Sequence, residues 1–250
     1  MNEASVASGV AAPPVSVLGY TKAYGDFTAV EDLSFSVEKG EILGLCGPNG
    51  AGKTTTLRAL AGILQPTRGS IRVAGFDLAR EPVEAKKRLA FVPDEPALFE
   101  HLTVSEHLLL MGRLYGVPDA AQRSGAILDE VELLEKANEL PQALSRGMKQ
   151  KLSLACALLH APAVIFLDEP LTGLDPAGIR RMKETIMRLA REGAAVILSS
   201  HLLQLVEEMC QRVLIMKRGK KVFLGSGAEI AAAFPGLGLE EVFMKLTQPA

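Results

Sequence analysis

Residues Gly47-Pro48-Asn49-Gly50-Ala51-Gly52-Lys53-Thr54-Thr55-Thr56 directly follow the apolar run Ile42-Leu43-Gly44-Leu45-Cys46. Gly47, Gly52, Lys53 and Thr54 fall at the spacing G-x-x-x-x-G-K-T, with a strand pattern before them and a helical pattern (Leu57, Leu60, Leu64) behind. That is the setting of a nucleotide phosphate loop. Glycine is needed because backbone N–H groups must turn inward around anionic oxygens, which side chains would obstruct. The positive end of the following helix adds attraction, Lys53 reaches the outer phosphates, and the Thr54 hydroxyl can ligate Mg²⁺. The expected guest is a triphosphate, and the expected architecture is α/β.

A phosphate loop alone does not separate a kinase, a GTPase or a motor, so the rest of the chain has to. Its 250 residues, 48 % of them hydrophobic, suffice for one sizeable α/β domain with a subdomain. A net charge of -2 gives no global basic field, which argues against a nucleic-acid partner. The densest basic stretch, Lys217-Arg218-Gly219-Lys220-Lys221, lies between two apolar runs and reads as a solvated hairpin turn. Cys46, Cys156 and Cys210 are far apart within apolar patterns, as expected of small buried hydrophobes in a reducing compartment. They and the four histidines form no metal spacing. Residues 1–14 lack a basic secretory start and are expected to be a disordered tail, and no apolar run approaches a membrane span. A cytoplasmic chain is expected, reaching a membrane only through a partner.

Val15 and Val17, and later Leu33, Phe35 and Val37, alternate with polar residues as half-buried antiparallel strands do. Tyr24, near the turn between them, either stacks on a base or covers the core edge. A further strand follows Gly69, a short helix starts at Pro82, and Leu89-Ala90-Phe91-Val92 is a strand stopped by Pro93-Asp94. From about residue 95 to 150 the pattern turns helical, with a capping box at Thr103 and Glu106, and reads as an insertion in the nucleotide-binding core. Ser145 is a natural N-cap for the next helix. Asp175-Pro176 caps another, whose stripe is Ile179, Met182, Ile186 and Leu189. Val213–Met216 and Val222–Leu224 form a hairpin, and two short helical patterns fill residues 226–250.

Two unbroken apolar runs, Ala163 to Leu167 and Ala195 to Leu198, belong in a parallel sheet covered on both faces. The first ends in Asp168-Glu169 and the second in Ser199-Ser200-His201. Open α/β sheets bind ligands at such carboxyl ends, so Lys53, Asp168, Glu169 and His201 can converge on one phosphate. Asp168, pointing toward the phosphate loop, can hold Mg²⁺ directly or through water. Glu169, on the opposite side of the pleat, is free to polarise a water, and His201 can orient that water and the phosphate.

The ordered set Gly47–Thr55, Leu144-Ser145-Arg146-Gly147-Met148, Phe166-Leu167-Asp168-Glu169-Pro170, Gly173-Leu174-Asp175 and Ser200-His201 closely resembles the ATP-binding cassette (ABC) ATPases, over about residues 15–225. The resemblance implies a mixed, mainly parallel core sheet with an antiparallel β subdomain and an α-helical subdomain. It implies the nucleotide-binding subunit of an ABC transporter, with ATP and Mg²⁺ as cofactors and ATP hydrolysis as its activity. Members work as head-to-tail dimers, so Ser145 and Gly147 would touch the γ-phosphate bound by the other protomer, at a helix N-terminus suited to an anion. Asp175 would belong to the loop that crosses to the partner, and Tyr24 resembles the aromatic that stacks on adenine.

Such a subunit docks on a membrane-embedded permease at the inner face of the cell membrane, here through the stretch from Asp94 to Thr103. The segment Leu239-Glu240-Glu241-Val242-Phe243 resembles the tail of short exporter-type cassettes. The competing reading, a soluble ABC ATPase acting as a clamp on nucleic acid or ribosomes, usually brings paired cassettes or a long coiled coil; this chain has one cassette and no heptads.

Three positions, in two motifs, depart from the family pattern. Arg146 and Met148 replace the usual glycine and glutamine of the signature, and Asp94 stands where a glutamine is usual. A carboxylate about 5 Å from a phosphate charge costs about 3 kcal/mol at an effective dielectric near 20. Asp94 is therefore tolerable either beside Mg²⁺, as a metal contact, or with its side chain turned elsewhere.

Overall fold

The computed structural model describes residues 12–248, so the tail expected at 1–14 lies largely outside the described residues. The strands β1 (Val15–Tyr24), β2 (Phe27–Val37), β4 (Arg68–Val73) and β5 (Phe76–Asp77) form an antiparallel sheet in the order β2-β1-β4-β5. The second sheet runs β10-β9-β3-β8-β7-β6, from β3 (Ile42–Cys46), β6 (Leu89–Val92), β7 (Val164–Asp168), β8 (Ala195–Ser199), β9 (Arg212–Lys217) and β10 (Lys220–Ser226). All neighbours in it are parallel except the edge hairpin β9–β10.

The continuous apolar runs follow from that topology. Leu43 and Leu45, Val164 and Phe166, and Ala195 and Ile197 face one core with the antiparallel sheet and helix α1 (Lys53–Leu60). Ile42, Ile165 and Leu167, and Val196 and Leu198 face the other, against α6 (Pro176–Arg191) and α7 (Leu203–Met209). Alternation of period two with both faces buried keeps the middle strands apolar up to their carboxyl-end residues, Asp168 in β7 and Ser199 in β8. The last two helices, α8 (Gly227–Ala233) and α9 (Leu239–Thr247), add Ile230, Leu239 and Val242 to this second core.

A third core belongs to helices alone. Between β6 and β7 the chain forms α3 (Val104–Tyr115), α4 (Ala120–Glu130) and α5 (Arg146–Leu158), which bury Leu108, Leu128, Leu133, Leu152 and Leu159 together; the short α2 (Pro82–Lys86) precedes β6. The expected capping box starts α3: Glu106 N–H donates to Thr103 Oγ1 at 3.3 Å, and Thr103 N–H donates to Glu106 Oε2 at 2.8 Å. The bond from Thr103 N–H holds the Glu106 carboxyl below its ordinary range, helped by the Thr103 hydroxyl. Because β3, β7 and β8 are parallel neighbours, the phosphate loop, Asp168 and Ser199 all leave the sheet at one edge.

Candidate functional site

At that edge lies a cavity of about 390 Å³, lined by Phe27 and Ala29, the loop from Asn49 to Thr55, Asp94, Asp168 and Glu169. The phosphate loop is tightly built. Gly52, the N-cap of α1, has φ 102°, where only glycine is unstrained. A Cβ there would also come within 2.8 Å of the Ala29 carbonyl. Having no side chain, Gly52 supplies no capping bond, so the first N–H groups of α1 remain available as donors to an anion. Lys53 Nζ donates to the Gly47 carbonyl at 2.7 Å and to the Pro48 carbonyl at 3.4 Å, which holds the ammonium over the loop.

Asp168 is buried, with the Ser199 hydroxyl donating to its Oδ1 at 2.6 Å. The pleat alone put Glu169 on the side opposite Asp168, and here the structure differs. Glu169 has φ 49°, which turns the chain out of the strand so that both carboxylates line one cavity. A non-glycine residue in that region stores about 1–3 kcal/mol of strain and is held only where its surroundings over-determine it. Two acceptors on Ser199 do so: Glu169 N–H lies 2.9 Å from its Oγ and 3.2 Å from its carbonyl oxygen. His201 completes the group, with Nδ1 2.8 Å from Glu169 Oε2 and its backbone N–H donating to the same oxygen at 3.3 Å.

Tyr24, Ser145, Gly147 and Asp175 sit apart from the cavity wall. Tyr24 is half exposed, with Lys22 Nζ 5.0 Å from its ring centre. Ser145 is the N-cap of α5, its Oγ accepting from Met148 N–H at 3.3 Å, and Asp175 caps α6 by accepting from Gly178 N–H at 2.8 Å. Gly147 packs against the loop before α6, where a Cβ would stand 3.0 Å from the Gly173 carbonyl. Asp94 lines the cavity and is paired with Arg146, whose guanidinium donates to its Oδ1 at 3.1 Å.

Residues 30–172 match the family model described as ABC transporter. The chain belongs to that family. It is 37 % identical over 217 residues to the linearmycin resistance ATP-binding protein LnrL of Bacillus subtilis (strain 168), an alignment covering 86 % of this chain and 70 % of that protein. It is 33 % identical over 238 residues to the ABC-type transporter ATP-binding protein EcsA of the same organism, covering 94 % of this chain and 96 % of that one. Among solved structures, the ATP binding subunit of an ABC transporter superposes with a TM-score of 0.89 at 34 % identity, covering 94 % of this chain and 99 % of that chain.

As an ABC ATPase, the chain binds and hydrolyses ATP. No helix among the described residues is long and apolar enough to cross a membrane. Nor, among the described residues, do three or more His, Cys, Asp or Glu side chains cluster as a self-sufficient metal cage. A magnesium ion at such a site takes one or two protein oxygens and completes its shell with water and phosphate. Thr54 and Asp168, both on the cavity wall and both oxygen donors, fit that demand.

The sequence signals missed several participants in this ABC site. Phe27 follows Tyr24 across the β1–β2 turn and stands exposed at the cavity wall. Ser199 was hidden as the end of an apolar run. The Arg218–Gly219 turn does more than meet solvent: Gly219 N–H donates to the Ala51 carbonyl at 3.0 Å and its own carbonyl accepts from Glu31 N–H at 2.8 Å, bracing the phosphate loop from below. Cys46, directly before that loop, has its thiol pushed up to about 12 by burial, an effect larger than the opposing pull of Lys53, so it stays protonated and inert.

Proposed function

We propose that this chain is the ATP-hydrolysing subunit of a transporter whose membrane-embedded part is a separate permease, and that two cassettes close head to tail around ATP. One observation supports this above the rest. The cavity wall holds the phosphate loop, Asp168 and Glu169, while Ser145, Gly147 and Asp175 of the same chain lie outside it. A second protomer, a copy or a close relative, brings those three to the nucleotide.

The roles follow from position. The loop from Gly47 and Pro48 through Asn49, Gly50, Ala51 and Gly52 wraps the phosphates, its non-proline N–H groups donating to them, with Lys53 on the outer oxygens and Thr55 on the loop's rim. Thr54 and Asp168 would hold Mg²⁺, with Asp94 a further candidate contact; when bound, the ion neutralises phosphate charge. Glu169 accepts the proton of the attacking water, and His201 fixes the carboxylate that does so. Tyr24 stacks on the adenine, with Phe27 beside it. The loop from Asp94 to Thr103, with Phe99 exposed, is the surface offered to the permease at the inner face of the membrane.

The test uses Glu169→Gln, which keeps the shape of the site and removes the base. Incubated with ATP, the variant runs as a dimer in size-exclusion chromatography with light scattering, and as a monomer without nucleotide. A variant that stays monomeric while binding ATP would remove the head-to-tail scheme; one with wild-type turnover would remove Glu169 as the base.

A further inference from the structure

Two of the three positions that depart from the family pattern, Asp94 and Arg146, are each other's partners. The cavity that receives a triphosphate is lined by three carboxylates, Asp94, Asp168 and Glu169, against the single ammonium of Lys53. Asp168 has Ser199 and Glu169 has His201, whereas Asp94 has the Arg146 guanidinium at 3.1 Å. Arg146 is an unfavourable residue where it stands. It opens α5, whose first turn holds no acidic residue, and a cation at a helix N-terminus works against the helix dipole. As a contribution to stability the pair is minor, both side chains being about half exposed, 58 % and 44 %.

The backbone nonetheless makes room for it. Gly173 has φ 80°, and a Cβ there would stand 3.1 Å from Arg146 Cδ and 3.4 Å from both Cγ and Nε. The arm of Arg146 thus lies across a glycine that only a bare backbone allows, and ends on the one carboxylate the cavity holds in excess.

We propose that Arg146 is a positioning residue for ATP binding in its own protomer: its guanidinium neutralises Asp94 so that this carboxylate can line the phosphate cavity without repelling the triphosphate. The proposal rests on the cavity being the ATP site, and its specific content is electrostatic. Arg146 acts through the charge of Asp94, not by tying α5 to the loop that carries it.

The two roles separate in a double-mutant cycle read by equilibrium titration with a fluorescent N-methylanthraniloyl derivative of ATP, in EDTA so that no divalent cation masks Asp94. Charge neutralisation requires Arg146→Gly to weaken binding about fivefold, and by less at high salt. Asp94→Asn must bind at least as tightly as the unsubstituted chain, the Asp94→Asn/Arg146→Gly double variant must recover that affinity, and Arg146→Lys must keep most of it. Arg146→Gln serves in place of Arg146→Gly should the glycine variant not fold. Equal weakening by Asp94→Asn and Arg146→Gly, with no recovery in the double variant, would show a structural tie and overturn the proposal, as would an affinity unchanged in Arg146→Gly. If the unsubstituted chain itself binds no ATP, the site assignment fails first, and that result is distinct from a flat cycle.

Discussion

His201 Nδ1 lies 2.8 Å from Oε2 of Glu169, and the same oxygen also accepts the His201 backbone N–H at 3.3 Å. One carboxylate oxygen is thereby fixed by a residue from the neighbouring strand end, on a side chain that lines the cavity. On the proposed mechanism this geometry makes His201 an orienting group for Glu169 as base. His201→Ala is expected to lower the ATP turnover number about 100-fold, the lower end of what a positioned acid–base group contributes, while ATP affinity changes by less than about threefold. A turnover number within about twofold of wild type would remove His201 from the catalytic geometry.

Ser199 serves both carboxylates at once, donating to Asp168 Oδ1 at 2.6 Å and accepting from Glu169 N–H at 2.9 Å. Ser199→Ala leaves Glu169 N–H its second acceptor, the Ser199 carbonyl, but strips Asp168 of its hydroxyl partner in a buried position. Such a loss costs about 1–3 kcal/mol. The expected result is a lower urea midpoint, together with a larger Mg²⁺ requirement for ATP hydrolysis. An unchanged Mg²⁺ dependence would mean that Asp168 holds its orientation without Ser199.

The capping box at the start of α3 is separable from the site. Thr103→Ala removes the acceptor of Glu106 N–H and the hydroxyl that donates to the Glu106 carboxylate, which keeps only its bond from the backbone N–H of residue 103. A cap of this kind is worth about 1 kcal/mol. Thermal unfolding of Thr103→Ala should therefore begin earlier while ATP affinity stays at the wild-type level, because α3 belongs to the helical core and contributes nothing to the cavity wall.

These cases mark what the sequence could and could not disclose. The phosphate loop, the apolar runs ending in Asp168 and Ser199, and the Thr103 capping box were legible because each is a local rule: spacing, period or cap. Glu169 on the same side as Asp168 was not, because a pleat argument assumes an extended backbone and the φ of 49° breaks it. The Asp94–Arg146 pair spans 52 residues, and no local pattern announces a contact at that range; only the fact that both positions were unusual hinted at it. The brace from Gly219 to Ala51 is a backbone bond, invisible to side-chain chemistry.

Acid stability depends on a histidine outside the site. His160 is stacked on Tyr115, with ring centroids 3.8 Å apart and planes 14° from parallel. Its Nε2 lies 3.1 Å from the Leu89 carbonyl, which can only accept, so the proton sits on Nε2 and the buried Nδ1 has no partner among the described residues. Burial holds the His160 pKa below its ordinary 6.5; the Leu89 bond opposes that, and Arg123 reinforces it. A folded pKa below the unfolded one means that the unfolded chain binds more protons as the pH falls through about 6.5, so folding stability declines there and goes on declining down to the folded pKa. Protonation would place an N–H and a charge at Nδ1 with nothing to receive them. His160→Gln keeps a donor for Leu89 and removes the titration. Urea midpoints measured near pH 7.5 and near pH 5.5 should therefore differ less in this variant than in the unsubstituted protein, and an equal difference in both would assign the acid sensitivity to other groups.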